Sequence, residues 1–100
     1  MEISIAGFDW DEGNREKCEK HGVLRADIES LFEREIKILP DLEHSSPQEQ
    51  RYRAIGTTTA SRYVFVVFTI RQKFGKNFIR PISARYMHEK EIKHYEKENP

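Results

Sequence analysis

The chain has 100 residues, of which 37% are hydrophobic and 34% are charged, and its formal net charge is zero. This size and composition predict one soluble globular domain spanning residues 1–100. The longest apolar run, residues 64–68, is far shorter than the ~20 residues that a membrane-spanning helix needs. Without a secretory signal and with a single cysteine, Cys18, the sequence excludes an internal disulfide and favours the cytoplasm.

The zero net charge conceals two halves of opposite sign. Residues 1–50 contain 6 Lys or Arg and 13 Asp or Glu, whereas residues 51–100 contain 11 and 4. Such a division predicts a basic region that could face a polyanion. The alternative interpretation is that the two halves neutralise each other across the fold.

The N-terminal half predicts a strand followed by two helices. The strand ends at Asp9 or Trp10, and Asp11 is a suitable N-cap for a helix over residues 12–20. Gly22 ends this helix, in which Cys18 is the only clear inward-facing residue. The second helix, over residues 26–34, has an apolar stripe at helical spacing that consists of Ala26, Ile28, Leu31 and Phe32.

The C-terminal half predicts a β-meander and a final helix. A strand over residues 35–39, closed by Pro40, is followed by a polar loop. Three strands then follow at hairpin spacing, over residues 49–59, 61–71 and 77–85, and a helix over residues 88–99 closes the chain. The order β-α-α-β-β-β-β-α predicts an α+β fold with a single twisted, mainly antiparallel sheet.

The last predicted strand, "FIRPISAR", contains a proline between two arginines. Pro81 cannot donate a hydrogen bond to a neighbouring strand, so the strand should lie at a sheet edge or be bulged there. In a regular strand Arg80 and Arg85 would point to opposite faces, and a bulge at Pro81 would bring them towards one side.

Arginines on neighbouring strands indicate an anion-binding surface. Guanidinium groups match phosphate oxygens in a bidentate manner, and tyrosines can stack on RNA bases. The alternative is that these arginines solvate the sheet and pair with acidic groups, for instance Arg85 with Glu89. The candidate residues are Arg51, Arg53, Arg71, Arg80 and Arg85, with Tyr52, Tyr63, Tyr86 and Tyr95 as stacking platforms.

Two histidines are candidates for acid–base chemistry or for local structure. His21 lies in the last turn of its helix, where a protonated imidazole favours the negative end of the helix dipole. His44 lies in a polar loop, where it is either catalytic or braces the loop. No set of residues has metal-ligand spacing and no glycine loop suits a nucleotide, so the sequence predicts neither a metal nor a cofactor.

Four stretches, "FDWDEGNREKCEKHGV", "PDLEHSSPQEQRYRAIG", "FVVFTIR" and "IRPISARYMHEKEIKHYE", together resemble the BrnT family of bacterial ribonuclease toxins. The resemblance covers residues 8–96, and one departure from it is Leu24, where a Ser or Thr cap would suit the second helix. The matching positions are Trp10, Lys20, His21, Gly22, His44, Ser45, Glu49, Arg51, Gly56, Arg71, Arg80, Ser83, Ala84 and Arg85.

The resemblance implies a RelE-like fold and the toxin of a type II toxin–antitoxin pair. It also implies a BrnA-like ribbon-helix-helix antitoxin, with which the toxin binds operator DNA. Metal-free RNA cleavage needs a base, an acid and cations that stabilise the phosphorane. The expected catalytic residues are Arg51, Arg71, Arg80 and Arg85, with Glu49 or His44 as base or acid; the expected RNA-binding residues are Arg53, Tyr86 and Lys20. The competing hypothesis is a non-catalytic interaction protein or transcriptional co-factor.

Overall fold

The computed structural model describes residues 4–34 and 36–99. Its α+β architecture and its element order are as predicted, while the relation to RelE stays a prediction. Glu35, where the second strand was predicted to begin, lies outside the described residues. The elements are β1 (Ile5–Phe8), α1 (Glu12–Glu19), α2 (Arg25–Leu31), β2 (Lys37–Pro40), β3 (Arg51–Thr57), β4 (Tyr63–Lys73), β5 (Lys76–Tyr86) and α3 (Glu89–Glu98).

The five strands form one sheet in the order β1-β5-β4-β3-β2. β1 is parallel to β5, and the other neighbours are antiparallel. The central strand β4 supplies the most buried part of the sheet, since Val64 and Val66 are fully buried and Phe68 is 3% exposed. These side chains face Ile28 and Leu31 of α2, and this side of the sheet is called the core face below.

The opposite side of the sheet, called the open face, is largely free of helices. Cross-strand pairing places its side chains in rows, one of which joins Arg51, Thr69 and Arg80 and the next Arg53, Val67 and Ser83. A cleft between α3 and the sheet is lined by Phe65 and Tyr95, so α3 lies over one end of this face. In the described part of the chain, no helix has the length and apolar character needed to cross a membrane.

The helix α1 is attached to β5 through a buried asparagine. The predicted cap Asp11 is confirmed, because its carboxylate accepts a hydrogen bond from the Asn14 backbone N–H at 3.0 Å. The amide Nδ2 of Asn14 donates to the carbonyl oxygens of Asp9, at 3.0 Å, and Pro81, at 2.8 Å. Asn14 is 5% exposed, so Cys18 is not the only inward-facing residue of α1.

The predicted apolar stripe of α2 is correct except at Ala26, which is exposed. Ile28 and Leu31 are fully buried, and the N-cap residue Leu24 makes no side-chain capping bond. Residues two apart on a helix differ by about 200° around its axis. Ala26 therefore points away from Ile28 and from the core.

Of the two alternatives predicted for Pro81, the edge strand is wrong, because β5 lies between β1 and β4. Pairing with β1 ends near Ile79, which accepts a hydrogen bond from the Asp9 N–H at 2.8 Å. Beyond this point Asn14 of α1 replaces the neighbouring strand and binds the Pro81 carbonyl. Proline lacks the N–H that a neighbouring strand would need for a ladder hydrogen bond. It is tolerated here because α1, and not a strand, lies along this side of β5.

The predicted bulge at Pro81 is confirmed. Val67 pairs with Ser83 but Phe68 pairs with Pro81, so that Ile82 is the extra residue of β5. Arg80 is opposite Thr69 and Arg85 is opposite Phe65. Since Thr69 and Phe65 are four residues apart on β4, they point to the same face, and Arg80 and Arg85 therefore share the open face.

Candidate active site

The open face carries two neighbouring clefts that divide most of the predicted site residues between them. The histidine cleft has a volume of about 320 Å³, and its polar lining comprises His21, Asp41, Glu43, His44, Arg53, Ser83 and Arg85. The arginine cleft has a volume of about 280 Å³, and its charged lining comprises Lys17, Glu49, Arg51, Arg71 and Arg80.

In the histidine cleft, His44 is held by a buried carboxylate. Its Nδ1 lies 2.8 Å from Oδ2 of Asp41, a residue that is 3% exposed, while the His44 side chain is 54% exposed. The hydroxyl of Ser45 donates to the Asp41 carbonyl at 2.7 Å and accepts from the Arg51 N–H at 2.9 Å, which ties the loop to β3. With Nδ1 engaged by Asp41, Nε2 is the nitrogen of His44 that can exchange a proton with a ligand.

Arg85 forms a bidentate ion pair with the first turn of α3. Its Nη1 and Nη2 donate to the two oxygens of Glu91 at 2.7 and 2.8 Å. The Arg85 guanidinium and the His88 N–H lower the pKa of Glu91 to about 2, and Glu91 in turn raises the pKa of Arg85. The suggested ion pair of Arg85 with Glu89 is wrong, because the Glu89 carboxylate lies 3.4 Å from Nζ of Lys93 instead.

Glu91 is the partner because it occupies the third position of α3 and completes a capping box. Its carboxylate accepts a hydrogen bond from the His88 N–H at 2.9 Å, which directs it back towards the end of β5. Arg85 leaves β5 at that end, so the two groups meet.

Arg53 differs from Arg85 in having an unsatisfied donor. Its Nε is buried and has no hydrogen-bond partner among the described residues. The guanidinium carbons of Arg53 and Arg85 lie 5.9 and 5.1 Å from the ring centroid of Phe65. Two cationic groups therefore adjoin one ring in the lining of the histidine cleft.

In the arginine cleft, one carboxylate bridges two arginines. Glu49 accepts from Arg51 Nε at 2.8 Å and from Arg71 Nη2 at 3.1 Å. The hydrogen bond from Arg51 is the main cause that lowers the pKa of Glu49, and the nearby charges of Arg51 and Arg71 add to it. Glu49 is consequently an ionised, doubly paired group.

Arg80 is paired with the N-terminal part of the chain. It donates to Asp11 at 2.9 Å and to Asp9 at 3.4 Å, and Asp9 also accepts from Lys73 at 2.7 Å. Burial raises the pKa of Asp9, but the bonds and charges of Lys73 and Arg80 outweigh it, so the pKa is lowered. The acidic and basic halves thus do neutralise part of each other's charge, as the alternative interpretation expected.

Residues 10–91, which include both clefts, match the sequence model of a family described as the ribonuclease toxin, BrnT, of a type II toxin–antitoxin system. The chain belongs to the BrnT family. A ribonuclease toxin of a type II pair acts on RNA and is controlled by an antitoxin, so family membership supports both as partners of this chain. A comparison with curated proteins gives no match.

Two of the predicted RNA-binding residues of this BrnT family member lie outside the clefts. Lys20 is the exposed C-cap of α1. Tyr86 packs against the core cluster, and the guanidinium carbon of Arg62 lies 3.5 Å from its ring centroid. Tyr52 is likewise on the core face, where it stacks on Phe68 with centroids 5.4 Å apart.

Sequence reasoning missed Asp41 of the histidine cleft and left the role of His21 open. Asp41 is three residues before His44, a spacing that can signal a carboxylate–imidazole pair in a tight loop. Of the two roles considered for His21, the structure does not place it in the last turn of α1, since it follows the C-cap Lys20, and it lines the cleft. Within residues 4–34 and 36–99, no group of three His, Cys, Asp or Glu side chains could hold a metal ion.

Proposed function

We propose that this BrnT family member is an endoribonuclease that cleaves RNA without a metal ion and thereby arrests growth. The observation that supports this proposal best is the pairing of His44 with the buried Asp41 in a cleft that also contains Arg53 and Arg85. An oriented imidazole beside guanidinium groups supplies both proton transfer and charge stabilisation.

In the proposed reaction, a base removes the proton of a ribose 2′-OH, and the 2′-oxygen attacks the adjacent phosphorus. The bond from phosphorus to the 5′-oxygen breaks, and an acid protonates that leaving oxygen. His44 acts through Nε2 in one of these two steps, and His21, the second imidazole of the cleft, is the candidate for the other. Arg53 and Arg85 bind the negative charge that develops on the phosphorane oxygens.

His44 suits acid–base chemistry better than Glu49 does. Glu49 is bound by Arg51 and Arg71, and its pKa is lowered, so it is a weak base and is not protonated near neutral pH. An imidazole changes its charge in the range of physiological pH and can serve in either role. We therefore assign the proton transfer to His44.

The antitoxin in this proposal is a BrnA-like ribbon-helix-helix protein that covers the open face and brings the complex to operator DNA. Stable protein pairs typically bury more than about 1,200 Å² in total. An interface of this size over the two clefts would exclude RNA from them. A complex that leaves Arg51, Arg80 and Arg85 fully exposed would rule out such occlusion.

The proposed function is tested by induced expression in a host without the antitoxin. We expect growth arrest and RNA fragmentation from the wild-type chain, and recovery when the neighbouring antitoxin gene is co-expressed. The His44→Ala chain is expressed in parallel, with its soluble level verified. Normal growth and intact RNA at a verified soluble level of wild-type protein would instead favour the non-catalytic interaction protein.

A further inference from the structure

The arginine cleft has the properties of an anion site in its own right. Four of its lining side chains are cationic, Lys17, Arg51, Arg71 and Arg80, whereas Glu49 is its only lining carboxylate among the described residues. The cations come from α1, β3, β4 and β5, so the fold collects them from four separate elements. If these side chains served only to keep the sheet surface solvated, they would not need to converge on one concave site.

Glu49 occupies the position that a phosphate would take in this cleft. Its two oxygens each accept from a different arginine, at 2.8 Å from Arg51 and 3.1 Å from Arg71. A phosphate offers the same kind of charged oxygens to guanidinium groups. The Glu49 side chain is 28% exposed, so it can leave the arginines without disrupting the core.

The two clefts lie one row apart on the same sheet face. Arg51 and Arg53 are two residues apart on β3, which corresponds to about 7 Å along the strand. Neighbouring phosphates of an extended single strand have a comparable separation. A strand of RNA that runs along β3 and β5 would therefore place consecutive phosphates in the two clefts.

We propose that the arginine cleft is a second phosphate subsite, which binds the nucleotide next to the reacting one in single-stranded RNA, and that Glu49 is displaced from Arg51 and Arg71 on binding. The proposal rests on the proposed function only in taking the histidine cleft as the reacting centre. In this proposal Glu49 is not a catalytic base. Its role is to compete with RNA phosphate for Arg51 and Arg71.

The test uses binding of a fluorescein-labelled, mixed-sequence 2′-O-methyl 10-mer, which has no free 2′-OH and cannot be cleaved. Anisotropy at several salt concentrations gives Kd and its salt dependence. We expect Arg71→Gln to raise Kd on the order of tenfold and to reduce the slope of log Kd against log salt by about 0.7, the value for one phosphate contact on a single strand. We expect Glu49→Gln to lower Kd several-fold, since it frees two arginines.

The matched control is Arg34→Gln. Arg34 is exposed and follows α2, which covers the other side of the sheet, so its replacement should leave Kd unchanged. Wild-type affinity in Arg71→Gln, weaker binding by Glu49→Gln, or no binding by the wild-type chain would overturn the subsite. Cleavage of a ribo-oligonucleotide is measured separately. If the variants show the expected changes in Kd but the wild-type chain does not cleave RNA, the proposed function is refuted and the subsite stands. If the wild-type chain cleaves RNA but the variants do not show these changes in Kd, the subsite is refuted and the proposed function stands.

Discussion

The Nδ1 atom of His44 lies 2.8 Å from a carboxylate oxygen of Asp41, and Asp41 is buried whereas His44 is not. This arrangement holds the imidazole in one orientation and leaves Nε2 free to meet a ligand. Asp41 itself is held by the backbone of its loop, through Ser45 and the Arg51 carbonyl. The pair therefore connects β3 to the group proposed to transfer protons.

Asp41→Asn should lower the rate of RNA cleavage on the order of 10²-fold, because the amide can donate to Nδ1 and so stabilise the wrong tautomer of His44. The substitution nearly preserves the shape of the side chain, so the melting temperature should change little. Steady-state kinetics beside a thermal melt will check this. A variant with wild-type kcat would show that Asp41 only braces the loop.

Arg85→Ala should lower the cleavage rate by about 10²–10³-fold if Arg85 stabilises the phosphorane. Arg85→Lys should recover only part of the rate, because it keeps the charge but loses the bidentate fork. Glu91→Gln is the matched control, since it removes the ion pair and leaves Arg85 in place. If Arg85 is purely structural, Arg85→Ala and Glu91→Gln should both keep wild-type activity and should lose a similar amount of stability.

The ion pair of Arg85 with Glu91 should make stability depend on pH in the acid range. The pKa of Glu91 is lowered to about 2 from its ordinary 4.5, so its contribution is complete above pH 4.5 and is lost as the pH falls towards 2. Both side chains are more than a third exposed, so the contribution is about 1 kcal/mol or less. Urea unfolding should show a gap between wild type and Glu91→Gln at pH 6 that shrinks by pH 2.5. A constant gap would contradict the ionic origin.

Asn14→Ala should destabilise the fold by about 1–3 kcal/mol, because it removes the bonds to Asp9 and Pro81 and one half of the capping box. Glu16→Ala, at an exposed position of the same helix, is the control for helix propensity. Chemical denaturation gives both free energies of unfolding. Equal stabilities of the two variants would show that α1 does not depend on Asn14 for its attachment to β5.

The order of elements follows from local patterns, and these were sufficient for the fold class. The hairpin spacing of the segments over residues 49–59, 61–71 and 77–85 predicted an antiparallel meander, and the proline in "FIRPISAR" predicted an edge position or a bulge; both inferences depend on residues that are close in sequence. The position of β5 inside the sheet was not predictable in the same way. It depends on the parallel pairing of β1 with β5, residues more than 70 apart in sequence, for which no local signal exists.

The arginines of the site could be identified from sequence, but their partners could not. Residue type and strand periodicity place Arg51, Arg53 and Arg85 on one face once the bulge is known. The carboxylates that bind them come from separate elements, such as Glu91 of α3. Which acidic group meets which arginine depends on how the elements pack, so the division into two clefts became apparent only in the folded chain.

The central claim, metal-independent RNA cleavage by His44, is tested most directly with purified protein and a mixed-sequence RNA in the presence of a chelator. The control is His94→Ala, which alters an exposed histidine of α3 outside the histidine cleft. We predict that the wild-type and His94→Ala chains cleave the RNA and that His44→Ala is slower by 10²-fold or more at an unchanged melting temperature. Equal cleavage by His44→Ala, or wild-type cleavage that the chelator abolishes, would contradict the account.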